Sequence, residues 1–281
     1  MAIVAYLGPE NTNTHSAAQA KFGTQSKYVH APTVEEVFHL VERRRARYGV
    51  VPIENSLEGA VAHTLDRFID FPDSPARIHG EIELPIVHYL IFRPTVTISH
   101  IRVVYSHPQA LAQCRGWLEK KLPKVHLSET NSTAEAVNQL ISSEPAPFWD
   151  LNVRAAIGRK ELAQEFKLKS LQIPEERENR TRFLVIGLGH PPRGRRNKTS
   201  ILFALKDRPG ALHDALVPFK RNGINLTKIE SRPSKRKAWE YLFFIDVEGS
   251  EAEAGVKRAL QALESHTALF RVLGSYPVTK R

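Results

Sequence analysis

The sequence predicts an α/β domain followed by a smaller β-α-β-β-α-β unit, and two observations support this fold class. Short apolar strands alternate with helical stripes from the N-terminus to about Gly187, an order typical of a largely parallel sheet. The run GLGHPPRGRRNK then breaks the alternation with glycine, proline and positive charge, which indicates a linker. The strands and helices after the linker follow the order of a ferredoxin-like fold.

Hydrophobic periodicity predicts each element in turn. In the first part, strands are expected at 3–7, 48–53, 86–92 and 101–105. Apolar stripes mark helices in this part near 16–22, 34–41, 111–118 and 134–141. In the second part, strands are expected at 201–207, 224–231, 239–247 and 269–276, and helices at 209–222 and 252–263.

Composition limits the classes of function to be considered. The 281 residues carry a formal net charge of +10, which favours an anionic partner without identifying it. A single cysteine, Cys114, allows no disulfide within the chain and predicts a reducing, cytoplasmic location. The first residues resemble a strand rather than a secretion signal, and no apolar run approaches the roughly 20 residues of a membrane helix. Because no metal-ligand or nucleotide-binding spacing occurs, neither a metal nor a cofactor is predicted.

Several strands of the first part run into a small polar cluster that opens a helix, and the clusters are NTNTHSAA, ENSLEGA, SHPQAL and NSTAEAV. Each cluster by itself is explained as a helix cap, because serine, threonine and asparagine accept hydrogen bonds from orphan backbone amides. Taken together, the clusters lie where ligands bind in parallel α/β sheets, at the carboxyl ends of strands. Helix N-termini hold carboxylates and phosphates, so the four clusters and Arg182 predict a cleft for a small polyanion.

The stretch ENRTRFLVIG places Thr181 and Arg182 at the start of an apolar strand. Alternation along a strand turns Thr181 and Phe183 to one face and Arg182 to the other. Arg182 therefore reaches the same place as Thr181 only if the backbone bends there. The simpler interpretation is a strand-forming threonine beside a surface arginine, and the spacing alone does not decide between the two.

Ordered motifs along nearly the whole chain resemble the prephenate dehydratase family with a C-terminal ACT regulatory domain. They include YLGPENT, GVVPIENSLEGAV, SHPQALAQC, STAEAV and NRTRF, and later PGAL and GINLTKIESRP. The resemblance implies a two-lobed catalytic domain over 1–189, similar to type II periplasmic binding proteins, with its cleft at the hinge. Lobe 1 is expected at about 1–79 and 177–189 and lobe 2 at about 80–176, followed by a linker at 190–198 and an ACT domain at 199–281.

The resemblance also implies a reaction, the decarboxylative dehydration of prephenate to phenylpyruvate in L-phenylalanine biosynthesis. Aromatisation drives this reaction, so no cofactor is expected. The family motif assigns catalysis to Thr181, which would hydrogen-bond the departing oxygen because a threonine hydroxyl is a weak acid. The implied substrate-binding residues are Thr12, Thr14, Asn55, Ser56, Thr133, Arg182 and Phe183.

In the ACT segment, the resemblance implies that L-phenylalanine acts as an effector bound between paired domains, in a homodimer or homotetramer. The implied effector-binding residues are Gly210, Ala211, Leu212, Asn225, Leu226, Glu230 and Ser231. The sequence departs from the usual family pattern at Asn11, Asn13, Ala60 and His213. Asparagine tolerates a left-handed backbone, so the turn at Asn11 is expected to keep its shape.

Three alternatives stay open at this point. The first is arogenate dehydratase, which performs the same chemistry on the aminated analogue of prephenate. The second is a ligand-binding sensor without catalysis, suggested by Asn13 and Ala60. Nucleic-acid binding is less favoured, because it rests on the net charge and on the runs RRRAR and RGRRNK, without the interleaved aromatic residues of such sites. We therefore predict neither a nucleic-acid nor a membrane partner.

Overall fold

The computed structural model describes residues 1–142, 153–174, 178–192, 194–235 and 240–278. By its internal contacts the chain divides into two compact units. Unit 1 comprises Met1–Leu7, Ala17–Glu83 and Thr181–Arg281, and unit 2 comprises Gly8–Ser16 and Leu84–Arg180. Two predicted features, the strand start at Trp239 and Arg193 of the linker, lie outside the described residues.

The described residues form strands and helices that we number along the chain. The strands are β1 Ile3–Leu7, β2 Lys27–Ala31, β3 Tyr48–Asn55, β4 Gly59–Ala60, β5 Ala76–Pro85, β6 Tyr89–Phe92, β7 Ile101–Ser106, β8 His126–Glu129, β9 Val153–Gly158, β10 Lys169–Gln172, β11 Arg180–Leu188, β12 Asn197–Leu205, β13 Leu226–Pro233, β14 Tyr241–Glu248 and β15 Thr267–Pro277. The helices are α1 Asn13–Phe22, α2 Val34–Glu42, α3 Ala62–Asp70, α4 Pro108–Gln113, α5 Arg115–Lys121, α6 Thr133–Ser142, α7 Lys160–Glu165, α8 Ala211–Arg221 and α9 Ala254–Ser265.

The first sheet of unit 1 has the strand order β2-β1-β3-β11-β5, with β4 paired to β3. Strands β1, β2 and β3 are parallel, whereas β11 runs antiparallel to β3. The run Phe183–Gly187 of β11 is fully buried, as expected for an apolar segment that forms a central strand. Helix α2 packs its apolar stripe, which includes Val37 and Phe38, into the core beside this sheet.

The second sheet of unit 1 is antiparallel, with the order β13-β14-β12-β15. Alternation along its strands divides the apolar side chains between two faces. Ile201, Phe203 and Ile245 share a core with helices α8 and α9. Side chains of the other face belong to the core of the first sheet, and these are Leu202, Ala204, Leu242, Phe244, Leu273 and Tyr276.

Unit 2 contains a five-stranded sheet with the order β10-β6-β9-β7-β8. Strand β7 is parallel to both β8 and β9, so these three strands end at the same edge of the sheet. Helices α4 and α5 contribute Leu111 and Leu118 to one core, and helix α6 contributes Val137 and Leu140 to another. Helices α4, α6 and α7 each follow the carboxyl end of one of the three parallel strands.

The predicted fold class is confirmed, including the β-α-β-β-α-β order of the second part, but several predicted elements are corrected. The strand expected at 86–92 spans only Tyr89–Phe92. The sequence did not predict helices α3 and α7 or strands β2, β4, β5, β8, β9 and β10. One helix was expected across Cys114, where the structure has α4 and α5. Pairing is mixed rather than largely parallel, because β10, β6 and β11 pair in antiparallel fashion. In the described part of the chain, no helix is long and apolar enough to cross a membrane.

Candidate functional site

Thr181 and Asn55 lie opposite each other where β11 begins and β3 ends. The Nδ2 atom of Asn55 donates a hydrogen bond of 3.0 Å to Oγ1 of Thr181. The Oδ1 atom of Asn55 accepts bonds from the backbone amides of Leu57 at 2.9 Å and Glu58 at 3.2 Å. The two amide bonds fix which end of the Asn55 side chain carries oxygen, so the nitrogen must face Thr181.

This arrangement sets the direction in which the Thr181 hydroxyl can act. Its oxygen already accepts a hydrogen bond from Asn55, and a hydroxyl has a single proton to donate. Among the described residues no acceptor for that proton occurs. Thr181 is only partly buried, whereas Asn55 is 8% exposed. The site therefore presents a donor that is held in place from behind and directed away from Asn55.

The two neighbours of this pair that the sequence also predicted differ in accessibility. Ser56 is exposed directly after β3, where a ligand can reach its hydroxyl. Phe183 is 1% exposed, so its ring belongs to the interior. A direct contact between Phe183 and a ligand stays a prediction, and the observed burial favours a packing role beneath the site.

Arg182 follows Thr181, and the backbone is irregular at this point. The register of β11 and β3 shifts between Arg182 and Phe183, where β3 contributes one extra residue, Ile53. Such a bulge changes the direction of the strand locally. The sequence pattern required a bend in the backbone to bring Arg182 near Thr181. The observed bulge lies one residue later, between Arg182 and Phe183.

The guanidinium of Arg182 is occupied by three carboxylates. Its Nη1 lies 2.6 Å from Oδ2 of Asp246 and 3.1 Å from Oε2 of Glu81. Its Nη2 lies 2.9 Å from Oε2 of Glu54. A direct contact between Arg182 and a substrate carboxylate stays a prediction. The geometry does not favour it, because the guanidinium already binds three carboxylates of the protein.

Two lysines complete this group of charges. Lys198 Nζ lies 2.8 Å from Glu81 Oε2, and Lys228 Nζ lies 3.1 Å from Glu54 Oε1. Burial by itself would raise the pKa of Asp246, but the positive charges of Arg182 and Lys198 hold that pKa below its usual range. We refer to the six residues as the Arg182 cluster: Arg182, Lys198, Lys228, Glu54, Glu81 and Asp246.

In unit 2, the turn at Gly8–Ser16 carries Thr12 and Thr14. Asn11 has φ of 62°, so the predicted tolerance of a left-handed backbone at this position is confirmed. The Thr12 hydroxyl donates to the carbonyl oxygen of Pro9 at 3.0 Å, and Thr14 is 6% exposed. The backbone amide of Asn11 donates to Nδ1 of His15 at 3.0 Å, which leaves the proton of a neutral imidazole on Nε2.

Thr133 lies at the start of α6, where the capping role is taken by its neighbours. The Ser132 hydroxyl accepts from the Glu135 amide at 3.0 Å, and the Glu135 carboxylate accepts from the Asn131 amide at 2.9 Å. This reciprocal pattern resembles a capping box. The Thr133 hydroxyl makes no hydrogen bond within the described residues, so it is available to a ligand. His107 caps α4 through Nδ1, which accepts a hydrogen bond from the Gln109 amide.

Arg159 is a candidate that the sequence analysis missed. It follows β9, at the edge of the sheet where β7 and β8 also end, and only 16% of its side chain is exposed. Its Nε is buried without a hydrogen bond, and its nearest carboxylate among the described residues, Glu161, is 4.0 Å away. Burial lowers the pKa of His15, the charge of Glu10 acts in the opposite direction, and the charge of Arg159 lowers the pKa.

The signal for Arg159 was present in the motif AAIGRKELA. Ligands bind at the carboxyl ends of parallel strands, and an arginine that directly follows a buried apolar strand lies at that edge of the sheet. Gly158 lets this corner pack tightly, because a Cβ atom there would lie 2.9 Å from Val137 and 3.5 Å from the Thr133 carbonyl oxygen. Arg159 is therefore the buried, weakly paired cation of a corner that also holds Thr133.

The sequence profile of prephenate dehydratase matches residues 4–190, and that of the ACT domain matches residues 199–265. The chain belongs to the prephenate dehydratase family. The bifunctional chorismate mutase/prephenate dehydratase of Aquifex aeolicus is 47% identical over 98% of this chain and 73% of its own length. These matches confirm the resemblance of the motifs along the chain to this dehydratase family.

Two solved structures share the fold over nearly the full length. Prephenate dehydratase from Arthrobacter aurescens, in complex with L-Phe, has a TM-score of 0.86 and 33% identity, covering 98% of this chain and 89% of that chain. GqqA, described as a novel type of quorum quenching acylase, has a TM-score of 0.83 and 26% identity, covering 99% and 98%. Because one fold supports more than one activity, function has to be argued from the site residues.

Within the ACT domain, the predicted effector residues fall at two ends of the sheet. Three of them follow the end of β12: Gly210, with φ of 77°, Ala211 and Leu212. At this end of the sheet, Ala204 of β12 pairs with Leu242 of β14, which pairs with Arg232 of β13. Asn225 and Leu226 precede or begin β13, level with the start of β12. The departing residue His213 is exposed and hydrogen-bonds Asp214 at 3.1 Å. Glu230 and Ser231 lie between these two groups on β13, opposite Phe244 and Phe243 of β14.

Proposed function

We propose that this protein converts prephenate to phenylpyruvate, with Thr181 as its catalytic residue. The observation that carries the proposal is the Asn55–Thr181 hydrogen bond, which orients the Thr181 hydroxyl as a donor. Prephenate has two carboxylates and a ring hydroxyl that must leave. A directed donor and separate anion-binding groups are what such a substrate requires. Membership of the prephenate dehydratase family supports the same reaction.

The chemical step breaks two bonds on opposite sides of the ring. The bond from the ring to its carboxylate breaks and releases carbon dioxide, and its electron pair enters the ring. The carbon–oxygen bond of the ring hydroxyl breaks, and the departing oxygen takes a proton and leaves as water. Thr181 hydrogen-bonds that oxygen as negative charge develops on it. Donor assistance of this kind contributes about 10²–10⁴-fold to a rate.

We propose that Arg159 binds one carboxylate of prephenate, with the hydroxyl of Thr133 beside it. A buried guanidinium with no close carboxylate of its own is an anion site of high strength. Thr12 and Thr14 stay candidates for the same role from the Gly8–Ser16 turn. This assignment replaces Arg182, whose guanidinium is already held by three carboxylates.

Replacing Arg159 with alanine should raise KM for prephenate by about 10–100-fold, the value of a charge-assisted hydrogen bond. A smaller effect on kcat would assign Arg159 to the side-chain carboxylate, which keeps its charge during the reaction, whereas a comparable effect on kcat would assign it to the ring carboxylate, which leaves as carbon dioxide. Arg159→Lys should give an intermediate KM, since it keeps the charge and loses the planar fork. Steady-state kinetics at several prephenate concentrations measure both constants.

Arg115→Ala serves as the matched control, because Arg115 is an exposed arginine of the same unit and pairs with Glu119. Its KM should equal that of the unaltered protein. An Arg159→Ala variant with unchanged KM and unchanged melting temperature would remove Arg159 from substrate binding.

The decisive assay uses purified protein and prephenate, with phenylpyruvate detected as its enolate in alkali. The same assay with arogenate compares the two substrates by kcat/KM, and we expect prephenate to be preferred. Thermal stabilisation by prephenate without product formation would instead indicate a ligand-binding protein that has no dehydratase activity.

We further propose that L-phenylalanine binds the ACT domain and that at least two chains assemble to form its site. The Arthrobacter aurescens relative is a complex with L-Phe. Gly210 and Asn225 of this chain fall at opposite ends of one sheet, so pairing of two ACT domains is a simple way to unite Gly210 of one copy with Asn225 of another. Whether the assembly is a dimer or a tetramer is measured by light scattering with and without L-phenylalanine.

We place the protein in the cytoplasm on the basis of its thiol content. The chain has one cysteine, Cys114, and the structure buries it as a free thiol. A reducing compartment suits such a chain. Fractionation of cells that express the protein tests this location.

A further inference from the structure

Three ion pairs of the Arg182 cluster connect the catalytic segment to the ACT domain. They join Arg182 to Asp246, Glu81 to Lys198, and Glu54 to Lys228. Each pair joins a residue of the first sheet to a residue of the second sheet, which the ACT domain forms with Lys198 just before its matched segment, and three positive charges face three negative charges. Glu81 and Asp246 are each 6% exposed, whereas the Glu54 side chain is 35% exposed, so two of the three carboxylates are shielded from water. The cluster is complete only when both parts are in place.

Two residues of the Arg182 cluster are chain neighbours of the proposed catalytic pair. Glu54 precedes Asn55 on β3, and Arg182 follows Thr181 on β11. The strand register places Glu54 opposite Arg182 and Asn55 opposite Thr181. A displacement of either charged side chain therefore acts on the Asn55–Thr181 hydrogen bond through a single peptide unit.

On the ACT side, the cluster reaches the strand that is predicted to bind the effector. Lys228 and Glu230 lie two residues apart on β13 and share its half-buried face, whereas Ile229 between them is exposed. Asp246 of β14 pairs with Lys228 in the strand register. A ligand that contacts Glu230 and Ser231 thus binds a strand that also holds the cluster.

Asp246 is fixed within the ACT domain by its own partners. Its Oδ1 accepts a hydrogen bond of 2.5 Å from the Ser200 hydroxyl, and Ser200 is 2.8 Å from the hydroxyl of Tyr276, which is fully buried. The carboxylate that binds Arg182 therefore moves with strands β12, β14 and β15 rather than independently of them.

We propose that Arg182 is a positioning residue that makes the placement of Thr181 depend on the state of the ACT domain. The proposal rests on the dehydratase function above. L-phenylalanine shifts β13 and β14, and the Arg182 cluster passes the shift to the Asn55–Thr181 hydrogen bond. A ligand moves such an equilibrium only if it binds the two arrangements with unequal affinity. Packed charge networks supply discrete arrangements of this kind.

The test replaces Asp246 with asparagine in the full-length protein, which removes the charge and keeps the shape. We expect kcat to fall by about tenfold, with KM for prephenate nearly unchanged. L-phenylalanine should still bind, as measured by calorimetry, but it should no longer alter kcat. Amide hydrogen exchange without any ligand should become faster at 53–56 and 181–184, because the Asn55–Thr181 pair has lost its anchor.

Arg77→Ala is the matched control, since Arg77 Nη1 donates to the carbonyl oxygen of Val272 at 2.8 Å and is not in the Arg182 cluster. This variant removes another cationic contact between the same two parts and should leave kcat, the L-phenylalanine response and the exchange rates unchanged. If Asp246→Asn fails to fold, Ser200→Ala weakens the support of Asp246 and should give a smaller change in the same direction.

Two results would overturn the proposal. One is an Asp246→Asn variant with unaltered kcat, exchange rates and response to L-phenylalanine. The other is loss of L-phenylalanine binding itself, which would make Asp246 part of the effector site rather than of a connection. Absence of turnover by the unaltered protein would refute the dehydratase function instead, while the exchange comparison would still decide whether the cluster positions Thr181.

Discussion

Replacing Thr181 with alanine should lower kcat for prephenate by about 10²–10⁴-fold. The substitution removes the donor that stabilises the departing oxygen, an interaction that exists only as the carbon–oxygen bond breaks. KM should change little, because the proposed carboxylate partners are untouched. Asn55 would keep its bonds to the amides of Leu57 and Glu58, so the turn after β3 should retain its shape.

Thr181→Ser is the control for this prediction, since it keeps the hydroxyl that accepts from Asn55. Its kcat should stay within about tenfold of the original value, well above that of the alanine variant. Equal melting temperatures would show that both variants are folded. Full activity in Thr181→Ala would refute the assignment of Thr181 as the catalytic residue.

Replacing Arg182 with methionine should lower the free energy of unfolding by about 3–5 kcal/mol. The guanidinium is 14% exposed, and its loss leaves the buried carboxylate of Asp246 without its closest cation. Glu81 and Glu54 keep their lysine partners, so the cost arises mainly at Asp246. Urea denaturation monitored by tryptophan fluorescence and circular dichroism measures the change through the midpoint.

Arg208→Met provides the comparison, because Arg208 pairs with Asp214 at 2.7 Å in the same unit but is 49% exposed. Exposed ion pairs contribute little to stability, so the midpoint should barely move. The midpoint of Arg182→Lys should lie between those of the two methionine variants. A lysine keeps the positive charge, but its single ammonium cannot bind three carboxylates as the planar guanidinium does. Equal midpoints for Arg182→Met and Arg208→Met would mean that the cluster does not stabilise unit 1.

The fold was predictable from sequence where the pattern of apolar residues is local. The stripe of α2 and the buried run Phe183–Gly187 follow directly from periodicity. Strand β5 was missed because polar residues interrupt its apolar pattern. Two of them, His79 and Glu81, are nevertheless buried. Burial of Glu81 is possible because Lys198 lies 117 residues away in sequence and only 2.8 Å away in space.

The candidate site was predictable in the same uneven way. Thr181 and Asn55 lie within the motifs NRTRF and GVVPIENSLEGAV, and their pairing follows once β3 and β11 are neighbours. The partners of Arg182 could not be predicted, because Asp246 is 64 residues away and no local pattern marks its burial. Arg159 was overlooked for a different reason. Its position after an apolar run is visible in the sequence, but the lack of a close carboxylate is seen only in the structure.

The place of β11 in the first sheet has a consequence for biosynthesis of the protein. This strand lies between β3 and β5, although it is made long after both of them. While the ribosome is still translating the segment before Arg180, the nascent sheet has two unpaired strand edges in its centre. Such edges invite pairing with other chains, so the newly made N-terminal segment is exposed to aggregation until its last central strand emerges.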